Sequence, residues 1–71
     1  QHGIIVFTQP ASAHTVTMPT NGVGVEYDAT ILGLGLTSIV STTNLSRTLL
    51  AYYILANGRA YIYSRSTEVI P

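Results

Sequence analysis

Residues 49–66 read LLAYYILANGRAYIYSRS. Two apolar, tyrosine-rich runs flank a central Asn57-Gly58, and the stretch holds Tyr52, Tyr53, Tyr61, Tyr63, Arg59 and Arg65. Asn-Gly between apolar runs is the strongest short-range sign of a two-residue type I′ hairpin, because both turn positions need φ > 0. In that register Ala56 faces Arg59, Ile54 faces Tyr61, Tyr53 faces Ile62 and Tyr52 faces Tyr63. One face then carries Leu50, Tyr52, Ile54, Tyr61 and Tyr63, with Arg59 and Arg65 at its ends. The other carries Leu49, Ala51, Tyr53, Leu55, Ala60 and Ile62. Tyrosine and arginine are enriched where surfaces are buried between chains, so the first face is the expected oligomer interface. A helix over residues 46–57 is the competing reading. Leu45, Leu49, Tyr52, Tyr53 and Ala56 fall at helical spacing, and Gly58 could close it. The capping box fails, since Leu49 and not Glu or Gln stands three after Ser46, and tyrosine and isoleucine suit strands better.

Outward from the hairpin, the chain offers further strand-like runs. Gly3–Thr8 (GIIVFT) is β-branched and aromatic, and Gln9-Pro10 ends it. His14–Met18 alternates apolar and polar, as does Gly22–Leu32, which places Val23, Val25, Tyr27, Ala29 and Ile31 on one face. Pro19-Thr20-Asn21-Gly22 marks a turn. Leu36–Thr42 reads as a further short strand, and Val69-Ile70 as a tail pairing at an edge. The expectation is one small all-β domain over residues 1–71: an antiparallel sandwich or open barrel of about five to six strands. Gln1 fits either a processed end or a domain boundary within a longer chain.

Composition narrows the function. A core of 71 residues supplies roughly 3–5 kcal/mol, so chains this short lean on disulfides, a metal or oligomerisation. There is no cysteine, and two histidines do not make a zinc cage. Oligomerisation is the remedy that remains, and it would complete the fold. Charged residues are 8% of the chain, lysine is absent and the net charge is zero. Such a balance promotes association and gives no basic footprint for nucleic acid. No apolar run is long enough to span a membrane as a helix.

The chemistry-bearing candidates are weak. Glu26 and Asp28 share one face of an expected strand, which more often means a solvated face than an acid–base pair. His2 and His14 lack a third partner at any recognisable spacing. Gly33-Leu34-Gly35 lacks the third glycine of a nucleotide loop. Asn44-Leu45-Ser46 fits the N-glycosylation triplet, a short pattern that is common by chance. No catalytic residue, metal ligand or cofactor is expected, and the chain reads as a non-enzyme.

Low charge, abundant serine and threonine, and a two-sided apolar hairpin resemble the composition of virion fibre, spike and capsid-decoration domains and of surface-filament subunits. The resemblance is compositional and names no family. It implies a structural, self-assembling homo-oligomer, with a trimer favoured, outside the cell or on a virion surface, contacting other structural proteins or glycans. A receptor- or glycan-binding tip is the second reading and a small enzyme subunit the third.

Overall fold

The computed structural model describes residues 1–71. The fold is all-β in character, a single four-stranded sheet with one helical turn. The strands are β1 (His2–Thr8), β2 (Val25–Tyr27), β3 (Ser46–Ile54) and β4 (Ala60–Val69), and α1 spans Ala29–Leu32. Their order across the sheet is β1-β3-β4-β2. β1 and β4 both run antiparallel to β3, whereas β2 runs parallel to β4, so the sheet is mixed and not purely antiparallel.

β3 and β4 form the hairpin, and residues 46–54 are strand and not helix. The turn differs from a two-residue type I′ loop. Gly58 has φ +84, but Asn57 does not enter the positive-φ region. The Gly58 N–H donates to Leu55 O at 2.9 Å, and the Leu55 N–H donates to Arg59 O at 2.8 Å. The loop is therefore the three residues Ala56-Asn57-Gly58, a type I turn closed by a left-handed glycine. Asn57 contributes its side chain instead of an unusual backbone: its Oδ1 accepts from the Arg59 N–H at 3.0 Å. The extra loop residue slips the pairing by one, to Tyr52↔Ile62, Tyr53↔Tyr61 and Ile54↔Ala60. An irregularity beyond Tyr52 absorbs Tyr63 and resumes at Ala51↔Ser64. Because side chains alternate along a strand, a one-residue slip moves them to the opposite face. Leu50 and Tyr52 thus share a face with Ile62, not with Tyr61.

The segment between β1 and β3 lies across one face of the sheet. It supplies Met18, Val25, Tyr27, Ile31, Ile39 and Val40 to a core completed by Leu50 and Ile62. The strands expected over 14–18 and 36–42 are absent, and the one expected over 22–32 is cut to β2. The cause is local. Gly22, Gly24 and Gly35 adopt φ of +92, +77 and +91, which strand backbone excludes. Asp28 Oδ2 then accepts from the Thr30 N–H at 3.1 Å and starts the turn of α1. Val25, Tyr27 and Ile31 still reach the core as their alternation predicts, while Val23 and Ala29 are exposed.

A blanket with so little regular structure needs other ties for its polar groups. Gln9 is buried, and its Nε2 donates to His14 O at 2.6 Å and to Ser41 O at 2.9 Å, while its Oε1 accepts from the His14 N–H. Buried Thr48 accepts from the Ser41 N–H through its hydroxyl, and Tyr27 Oη donates to Pro19 O at 2.7 Å. Burial raises the Tyr27 phenol above its ordinary pKa, which keeps it a donor.

Candidate interaction surface

The blanket covers one face of the sheet only. The cross-strand register places Ile4, Val6, Leu49, Ala51, Tyr53 and Tyr61 together on the other face. Leu50, one residue from Leu49, has no exposure, whereas Ile4 is 62% and Val6 52% exposed. Tyr53 is central here. Its ring centroid lies 5.3 Å from that of Tyr61 and 5.4 Å from that of Tyr63, at tilts of 44° and 32°. Tilted contacts at such distances are favourable for aromatic quadrupoles. Partial burial, with the negative charges of Asp28 and Glu26 nearby, raises the Tyr61 phenol.

Two ion pairs bracket this apolar surface. Arg47 and Glu68, opposite each other on β3 and β4, approach to 3.0 Å at one end. Arg59 Nη1 and Glu26 Oε2 lie 3.1 Å apart at the other, where Asn57 Nδ2 also donates to Glu26 Oε2. Hydrogen bonds from Arg59, and then from Asn57, hold the Glu26 carboxyl below its ordinary range. Each pair is internally neutral, so the surface between them bears no net charge.

β1 adds an edge to the open face. The Gln9 N–H donates to Ser46 O and Gln1 O accepts from the Ile54 N–H, so odd-numbered backbone groups face β3. In an antiparallel ladder the alternate groups, those of His2, Ile4, Val6 and Thr8, point away from the sheet. Ile5 lies on the covered face yet is 37% exposed, so three successive aliphatic residues of this edge reach solvent. The strand has no lysine, proline, bulge or acidic residue of the kind that blunts exposed edges.

The seven residues expected at the interface divide between the two faces. Tyr61 and Tyr63 each meet Tyr53 on the open face, and Arg59 reaches Glu26 beside them. Leu50 is fully buried in the core. Tyr52 packs against that core and lies over Gly3, where a Cβ would fall 2.7 Å from the tyrosine oxygen. Arg65 points to the blanket, its Nε donating to Ile39 O at 2.6 Å. Ile54 is exposed at the loop end of β3, outside the tyrosine group. The open face instead contains Tyr53, Leu49, Ile4 and Val6. For Ile4 and Val6 the signal is the continuous apolar run GIIVFT, which puts apolar residues on both faces of its strand; Tyr53 and Leu49 depend on a register that Asn-Gly alone leaves undetermined.

No group of three or more histidine, cysteine or acidic side chains comes together. No helix is long and apolar enough to cross a membrane. Compared with protein-family models, with curated proteins and with solved structures, the chain matches none.

Proposed function

We propose that this chain is a structural assembly module that self-associates through the open face of its sheet, as a subunit of a virion fibre, spike, capsid decoration or surface filament. The observation that carries the reading is the run Ile4-Ile5-Val6, exposed on a sheet edge that adjoins the Tyr53–Tyr61–Tyr63 cluster. A contiguous apolar patch of this kind, rimmed by polar groups, is the usual mark of a protein–protein surface. One sheet buries one face, and a second copy laid on the other would supply the missing layer of a sandwich. Three copies around an axis would close their open faces as a prism, the trimeric form of the same idea. The neutral ion pairs at both ends leave no like-charge repulsion between copies. Low charge and lack of lysine support an extracellular or virion setting over a crowded interior.

The experiment is a comparison of variants on two faces. Val6→Lys and Tyr53→Ser alter the open face and leave the core untouched. Each should lower the native mass by light scattering, with the far-ultraviolet circular dichroism of the sheet retained. Unchanged mass in both variants would contradict the reading.

A further inference from the structure

The chain has three arginines and three acidic side chains. Arg47 pairs with Glu68 and Arg59 with Glu26. The remaining two, Asp28 and Arg65, make no ion pair, yet they line the same open cleft of about 470 Å³. That volume falls within the range of roughly 300–1,000 Å³ typical of small-molecule sites. Thr30, Ile31, Leu34, Tyr63 and Ser64 complete the lining. The cleft lies where α1 meets β4, beyond the end of the short β2.

Both charged groups are held by the chain and only part-used. Asp28 Oδ2 accepts from the Thr30 N–H, and no group of the protein donates to its second oxygen. Arg65 Nε donates to Ile39 O at 2.6 Å and its Nη2 to Ser38 O at 3.4 Å. A guanidinium has five N–H donors, so three stay free. The cleft thus offers a fixed acceptor, a fixed set of donors, two hydroxyls, an exposed tyrosine ring and an aliphatic floor.

We propose that this cleft binds a neutral pyranose ring. A simple cation meets Arg65 and a simple anion meets Asp28, so the site favours a ligand without net charge. A sugar hydroxyl donates to a carboxylate and accepts from a guanidinium, and its ring carries C–H groups that rest against an aromatic face. A zwitterion would instead call for a bidentate guanidinium–carboxylate fork. Arg65 has already committed Nε and one Nη2 proton to the chain, which closes its side-on fork; the three protons left, on Nη1 and Nη2, can each meet a separate hydroxyl of a polyol.

Tyr63 belongs both to this cleft and to the open-face cluster, so the titration is run on Val6→Lys as well as on the native chain, and binding by the variant stands whether or not the chain self-associates. The ¹⁵N-labelled chain is titrated with methyl glucoside, galactoside and mannoside, with glycine betaine as the zwitterionic control. At least one glycoside should bind with Kd of about 1 mM, moving the amides of residues 28–34 and 63–65. Asp28→Ser keeps a helix-capping oxygen and removes the charge; it should weaken binding at least tenfold with the native mass unaltered. Arg65→Lys keeps a cation and loses the fork, and should weaken binding by a smaller factor. Failure of all three glycosides to shift the cleft amides would overturn the proposal. So would betaine binding there in preference to the sugars, or unaltered affinity in Asp28→Ser.

Discussion

The two faces of this sheet are made from neighbouring residues of the same strands, and they differ in what lies over them. On the covered face, Leu50 and Ile62 pack against Ile39 and Val40, all at no more than 1% exposure. On the open face, Val6 lies opposite Leu49 and Tyr53 opposite Tyr61, with solvent beyond them. Both faces are apolar. A strand with one face in water normally alternates apolar and polar residues; Ile4–Phe7, Leu49–Ile54 and Ala60–Tyr63 do not, whereas the second half of β4, Ser64–Glu68, is polar on both faces. The difference teaches that the chain has enough covering segment for one layer of contact and a sheet built for two.

Core substitutions sharpen this contrast most. Leu50→Ala should cost about 2–5 kcal/mol, comparable with the whole stability expected of a domain this size, and leave the chain largely unfolded by circular dichroism. Leu49→Ala, one position away on the open face, should leave the unfolding midpoint of the dissociated protomer nearly unchanged. Equal losses at both positions would break the comparison.

Gly3 probes the covered face at β1. A Cβ there would sit 2.7 Å from Tyr52 Oη and 2.9 Å from its Cζ. The ring end must shift, so Gly3→Ala should destabilise by about 1–3 kcal/mol in urea unfolding. An unaltered midpoint would show that Tyr52 does not rest on Gly3.

The loop tests the register on which the assignment of faces depends. Gly58 alone in the turn has φ > 0, at +84, and open space around it. Gly58→Ala should cost about 1–2 kcal/mol from backbone strain alone. Asn57→Ala removes the side-chain bond to Arg59 but meets no left-handed strain, and should cost less, about 1 kcal/mol. A two-residue type I′ turn would penalise both positions through strain, so the ratio of the two effects discriminates the geometries.

The smallest effect expected is electrostatic. The Glu26 carboxyl is held below its ordinary 4.5 by Arg59 and Asn57. A depressed carboxyl stabilises the fold fully above its ordinary value, and that contribution is lost as pH falls through the lowered one. The urea midpoint of the native chain should therefore decline below about pH 4.5, and Glu26→Gln should flatten part of that decline. The pair is solvent-exposed, so the difference is small.

The limits of sequence legibility follow from the same residues. β1 was readable because GIIVFT has a single sensible conformation and a proline soon after it. The hairpin was readable as a hairpin, yet Asn-Gly fits both a two-residue turn and the last two positions of a three-residue one. That one-residue ambiguity reassigned Leu50 and Tyr52 to the core and brought Tyr53 into the aromatic cluster. The middle of the chain misled for a different reason. Val25, Tyr27 and Ile31 do face the core, but the alternation that marks them is interrupted by positive-φ glycines and by Asp28 acting as a cap. Contact between residues 9–45 and the sheet is made by irregular backbone held through Gln9, Thr48 and Tyr27, and no local periodicity encodes such ties.

We propose that the open face is occupied by further copies of the chain. The most direct test is the native mass in solution, measured by light scattering across a dilution series up to about 100 μM, where even a micromolar contact would be saturated. A whole-number multiple of the 7.6 kDa protomer, falling to a single copy in Ile4→Lys, is the predicted result. A monodisperse 7.6 kDa particle at every concentration, folded by circular dichroism, would contradict it.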